Sequence, residues 1–159
     1  MSQLQLYSFS HKNTSLTERD ELVFSQDEIT AFYSQIQEEL GIEAAVGSTC
    51  NRTEFYLFGP AEKVGWNRIR EQLLTFKQLN AEQVPAPDDK RAKAAANHLF
   101  RVSASLESVA LGENEILGQL KDAHELFVEH PIASSVLDEL FQYAIRAGKD
   151  MRTETDLCE

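Results

Sequence analysis

The chain has 159 residues, 42% apolar and 26% charged, which is the composition of an ordinary globular protein with one domain or two small subdomains. Acidic side chains outnumber basic ones 26 to 15, and the net charge of −11 opposes indiscriminate nucleic-acid binding while leaving room for a local basic patch. No apolar run approaches the about 20 residues of a membrane helix, Met1-Ser2-Gln3-Leu4-Gln5 is not a signal-peptide start, and two cysteines point to a reducing cytoplasm rather than a disulfide framework.

Leu4, Leu6 and Ser8 alternate with Gln5, Tyr7 and Phe9, the pattern of a first strand. His11 to Asp20 is polar and reads as a loop or short helix. Ser25-Gln26-Asp27-Glu28 has capping-box spacing; behind it Ile29, Phe32, Tyr33, Ile36 and Leu40 keep the helical period until Gly41 stops it. Two strand-like runs follow, Ile42 to Val46 and Phe55 to Phe58, with a tight turn between them. Gly59-Pro60 ends the second, and a helix is expected from about Ala61 to Leu79, with Trp66, Ile69, Leu73 and Phe76 on one stripe.

The order β-α-β-β-α is most of a ferredoxin-like split unit. A fourth strand is expected near Val84, where Pro85 and Pro87 demote it to an edge. Asn80 to Asp89 reads as a subdomain boundary, and beyond it the pattern is helical: Asp89 to Ser103, Glu113 to Glu129, and a last helix after Pro131 reaching about Thr153. The expected fold is therefore α+β: an antiparallel ferredoxin-like split β-α-β sheet over residues 1–87, then an antiparallel helical subdomain over 88–159. The abrupt end after an amphipathic helix suggests a chain cut at a domain boundary or a natural short form.

The run Gly47-Ser48-Thr49-Cys50-Asn51-Arg52-Thr53-Glu54 carries most of the chemistry. Cys50 is placed at the tip of the hairpin, beside an arginine and two polar donors, an exposed and electropositive setting that favours the nucleophilic thiolate. His98 is the candidate partner as base or charge partner, since a Cys–His pair is the minimal kit for thiol catalysis. Its apolar helix also fits a satisfied core histidine, and residue type alone favours that reading. A second block, Ser105 to Gln119, turns at Gly112 into a helix with an acidic first turn, which plain capping explains for Glu113 and Glu115. Ser108, Glu113 and Gln119 nevertheless form a set of donors and acceptors able to grip a zwitterionic amino acid. The clusters Lys90, Arg91, Lys93, Arg101 and Arg146, Lys149, Arg152 read first as solvated helix faces. The four histidines and Cys50 have no metal-ligand spacing, and neither common glycine-rich phosphate loop is present.

Read together, these segments resemble the N-terminal catalytic domain of glutamyl-tRNA reductase over essentially the whole chain. The resemblance lies in Ser10-His11-Lys12 with Leu16-Thr17-Glu18-Arg19, in Ser48 to Glu54, in Asn97-His98-Leu99-Phe100-Arg101-Val102 through Ser108, in Leu111-Gly112-Glu113 through Ala123, and in Arg152-Thr153-Glu154-Thr155. Each motif is short; their common order and spacing are specific. The resemblance implies that Cys50 attacks the ester of glutamyl-tRNA and forms a glutamyl thioester. NADPH, bound by a domain outside these residues, then reduces it to glutamate-1-semialdehyde for 5-aminolevulinate and tetrapyrrole synthesis. It implies that His98 places the carbonyl or moves a proton, and that Thr49, Asn51, Arg52, Ser108, Glu113, Asn114, Glu115 and Gln119 hold the substrate. The family often has Pro-Gln where this chain has Asn114-Glu115, a carboxylate in place of an amide. The expected partners are glutamyl-tRNA and the next enzyme, glutamate-1-semialdehyde aminomutase. The family dimerises through a domain outside these residues, so the piece alone is expected to be a monomer limited to thioester formation or slow ester hydrolysis. The competing readings are a non-catalytic tRNA- or partner-binding module of that family, and an unrelated thiol hydrolase that leaves the Gly-Glu block without a role.

Overall fold

The computed structural model describes residues 1–49, 51–104, 115–129 and 135–155, with the backbone alone for residues 115, 116, 135 and 152–155. In chain order the elements are β1 (Ser2–Ser10), α1 (Leu16–Leu22), α2 (Gln26–Leu40), β2 (Glu43–Ser48), β3 (Arg52–Pro60), α3 (Trp66–Lys77), β4 (Asp88–Arg91), α4 (Ala92–Ser103), α5 (Glu115–Val128) and α6 (Ser135–Thr155). The strands form one antiparallel sheet in the order β2-β3-β1-β4. That order is the ferredoxin-like split arrangement, and the α+β expectation holds.

Local chemistry explains most of the boundaries. Both first helices start at capping boxes, Ser15 with Glu18 and Ser25 with Glu28, which satisfy amide groups that the first turn leaves unpaired. Gly41 ends α2 in the left-handed region at φ 63°, a conformation that costs glycine nothing. The polar stretch read as a loop or short helix contains the start of α1.

The fourth strand differs from expectation. It lies at Asp88–Arg91, after the prolines rather than near Val84, and takes the first residues expected for the following helix. Its residues are polar, so hydrophobic alternation could not reveal it. Its position comes from backbone pairing with β1, from Gln5 opposite Arg91 to Ser8 opposite Asp88. The buried Gln5 amide donates to the Asp89 carboxylate and, at 3.0 Å, to the Lys90 carbonyl. Similarly, α3 begins at Trp66 rather than near Ala61, because the chain before it docks first: Tyr7 OH donates to the Val64 carbonyl at 2.8 Å.

Period-two alternation gives the sheet two different faces. One is aromatic. Phe9 and Phe55 meet edge to face at 6.3 Å between ring centres, Phe32 packs on Phe55 at 5.7 Å and on Phe76 at 5.2 Å, and Trp66 lies 5.8 Å from Phe9. These contacts seat α2 and α3. The opposite face lies under α4, α5 and α6, where Tyr56 meets Phe141 edge-on at 5.4 Å. Leu99, Leu120 and Phe141 from those helices belong to the same buried cluster as the strands. Gly148 permits α6 to press on α4, since a Cβ there would stand 2.5 Å from the Ser103 carbonyl oxygen.

Candidate active site

The turn between β2 and β3 is built by Thr49. Its amide donates to the Arg52 carbonyl at 2.7 Å, and its hydroxyl accepts from the amides of Asn51 at 3.0 Å and Arg52 at 3.1 Å. The base of the hairpin is anchored to the segment after α1: the Phe24 amide donates to Ser48 Oγ at 2.9 Å, and Thr53 Oγ1 donates to the Leu22 carbonyl at 3.0 Å. Cys50 belongs to this turn, between Thr49 and Asn51, and itself lies outside the described residues.

From the turn, β3 directs Arg52, Glu54 and Tyr56 toward the face under α4 to α6. Glu54 is 2% exposed and collects four donors. Ser8, its cross-strand partner, donates at 2.6 Å and Arg52 Nη1 at 3.3 Å to Oε2; Tyr56 OH donates at 3.0 Å to Oε1. The fourth is His98 Nε2 from α4, 2.5 Å from Oε2. Burial pushes the Glu54 carboxyl upward, but His98, Arg52 and Ser8 together outweigh it and hold it below its ordinary value. An ionised carboxylate only accepts, so Nε2 of His98 carries the proton and donates. His98 is itself 6% exposed. It is thus both buried and satisfied, by a carboxylate rather than by apolar packing.

Thr49 and Arg52 come together with Gln119 of α5 around one crevice, walled also by Gly47, Glu54 and Val102. Gln119 Oε1 is buried there and has no hydrogen-bond partner among the described residues. Asn51 is half-buried in the turn. Glu115 opens α5, one turn before Gln119, with its side chain outside the description. Ser108, Glu113 and Asn114 lie outside the described residues. The sequence reading missed Glu54 as a site residue, together with Ser8 and Tyr56. A signal existed: a carboxylate between Thr53 and Phe55 interrupts a strand rich in apolar residues, and a charge there needs a partner.

Among the described residues no three His, Cys, Asp or Glu side chains gather closely enough to hold a metal ion. No helix among them is long and apolar enough to cross a membrane.

Comparison with known proteins matches this arrangement to one family. A family model described as glutamyl-tRNA(Glu) reductase, N-terminal domain, matches residues 7–155. The glutamyl-tRNA reductase of Helicobacter hepaticus is 34% identical over 157 residues, which is 98% of this chain and 36% of that protein. The glutamyl-tRNA reductase of Bacillus subtilis is 33% identical over 149 residues, 92% of this chain and 33% of that protein. Among solved structures, glutamyl-tRNA reductase from Methanopyrus kandleri superposes with a TM-score of 0.81 at 28% identity, covering 98% of this chain and 36% of that one. The chain thus spans about a third of the length of these relatives. It belongs to the glutamyl-tRNA reductase N-terminal domain family.

Proposed function

We propose that this chain is the glutamyl-accepting part of a glutamyl-tRNA reductase, with Cys50 as nucleophile. The Cys50 thiolate attacks the ester carbonyl of glutamyl-tRNA; the new C–S bond forms, the C–O bond to the tRNA 3′ end breaks, and the leaving oxygen takes a proton. An ordinary cysteine, with a pKa of about 8.5, is only partly ionised at neutral pH, so the step needs help. His98 supplies it by taking the thiol proton and returning it to the leaving oxygen. Glu54 orients the imidazole and stabilises its charged form, as a carboxylate does in a triad. Thr49, Asn51, Arg52 and Gln119 hold the glutamyl group, with the open Gln119 oxygen facing its ammonium, and Ser108, Glu113, Asn114 and Glu115 complete the grip.

In the whole enzyme NADPH supplies the hydride that turns the thioester into glutamate-1-semialdehyde. A reactive aldehyde favours transfer to the next enzyme, glutamate-1-semialdehyde aminomutase, and we assign that enzyme as a partner. We further assign the whole enzyme as a cytoplasmic homodimer that joins through parts outside these residues; the sheet part runs past residue 87 to the end of β4 at Arg91, and the helical part follows it.

The observation that supports this reading most is the buried pair that His98 of α4 makes with Glu54, on the strand that leaves the Cys50 turn. The test is single-turnover transfer of radiolabelled glutamate from glutamyl-tRNA to protein. Label is expected on the wild type, none on Cys50→Ser, and a rate lowered at least tenfold in His98→Asn. A folded wild type that takes no label, or a Cys50→Ser variant that labels equally, would overturn the reading.

A further inference from the structure

The sequence places Arg146 and Lys149 three residues apart on α6, and the fold brings a second helix to them. Lys121, His124 and Glu125 of α5 face Gln142, Arg146 and Lys149 of α6 across a groove of about 300 Å³. Acidic residues outnumber basic ones 26 to 15 in the chain. Among the described residues lining the groove the balance reverses, with Lys121, Arg146 and Lys149 against Glu125. The floor is fixed. His124 Nε2 donates to Asp138 at 2.6 Å, its ring stacks on Phe141, and Gln142 Nε2 donates to the same carboxylate at 2.8 Å. Those two donors hold the Asp138 carboxyl below its usual value and so occupy that anion. Next to Gln142 on α6, though not itself lining the groove, Tyr143 is 58% exposed, with the Arg146 guanidinium 6.0 Å from its ring centre.

Basic side chains with an exposed aromatic beside them are the equipment for a nucleic-acid backbone: cations for phosphates, and a flat face for a base or ribose. The groove shares α5 with the crevice, since Gln119 turns toward Thr49 and Arg52 while Lys121, two residues on, turns toward α6. From this we infer that the α5–α6 groove seats phosphates of the tRNA near its glutamylated 3′ end, with Lys121, Arg146 and Lys149 as the contacting cations and Tyr143 as the stacking face. The assignment rests on the proposed use of a tRNA ester. It also explains how so acidic a protein holds RNA: the charge attracting the substrate is concentrated along one groove.

The test measures binding of uncharged tRNA over a series of salt concentrations. Each neutralised phosphate contributes about 0.7 to 0.9 to the slope of log affinity against log salt. The variant Lys121→Gln/Arg146→Gln/Lys149→Gln is expected to lose at least tenfold in affinity at low salt and about two units of slope. The swapped variant Lys121→Arg/Arg146→Lys/Lys149→Arg is expected to keep both. A control neutralising Lys63, Arg68 and Arg70 should leave the slope near that of the wild type. Unchanged affinity and slope in the groove variant, or an equal loss in the control, would overturn the inference. Circular dichroism verifies that each variant is folded. Binding is read without thioester chemistry, so groove-dependent binding by a protein that takes no label would overturn the proposed nucleophile and leave the groove standing.

Discussion

The two faces of the sheet are stabilised in opposite ways. The face under α2 and α3 is a set of aromatic rings, Phe9, Phe24, Phe32, Phe55, Phe76 and Trp66, each touching at least one other. The face under α4 carries a buried carboxylate held by Ser8, Arg52, Tyr56 and His98. Dispersion and burial are non-directional, so an aromatic face tolerates changes of shape that keep its volume. A buried charge is stable only while its partners are in place. Neighbouring residues of β3, Glu54 and Phe55, therefore belong to two regimes, one tolerant and one exacting.

The largest expected effect breaks the exacting side. Glu54→Ala removes the acceptor from buried Arg52 and His98 and should cost about 3 to 5 kcal/mol, read by urea unfolding. A loss under about 1 kcal/mol would show that the polar cluster contributes no more than the surface. Gly148→Ala should cost about 1 to 3 kcal/mol by forcing α6 away from the Ser103 carbonyl. On the tolerant side, Phe32→Leu keeps much of the volume and should cost under about 1.5 kcal/mol, with the labelling rate from glutamyl-tRNA unchanged. Ser25→Ala, which deletes the hydroxyl of a capping box on an exposed helix end, should cost about 1 kcal/mol and likewise spare activity.

Acid sharpens the contrast further. The carboxyl of Glu54 is held below its ordinary 4.5 in the folded protein, so its stabilisation is complete above 4.5 and is lost as pH falls through the lowered native value. Wild type should therefore lose stability faster than Glu54→Gln below pH 4.5, and the two unfolding curves should converge. Parallel curves over that range would mean that the carboxylate is not the group responsible.

Much of the fold was legible because it is written locally. The capping box at Ser25 and the stripe from Ile29 to Leu40 place α2 to within a residue. The apolar runs on either side of the Cys50 turn place β2 and β3. Where the signal is not local, reading failed: β4 is polar and owes its position to pairing with a strand some 80 residues earlier. The site follows the same rule. Thr49, Cys50, Asn51 and Arg52 are marked by residue type and turn position. Glu54 stood in the same motif, but its role depends on Ser8 and His98, distant in sequence.

By itself, the sequence determined that the first three strands and the main helices form and roughly where, which turn holds the thiol, and which family the motifs resemble. Capping, periodicity and turn chemistry act over a few residues, and each leaves its mark in the chain. Only the tertiary structure decided that Glu54 accepts from His98, that Gln119 joins Thr49 and Arg52 at one crevice, and that Lys121 faces Arg146 across a groove. The energy of a buried charge or of a cluster of like charges depends on what surrounds it in space, and chain order does not carry that information.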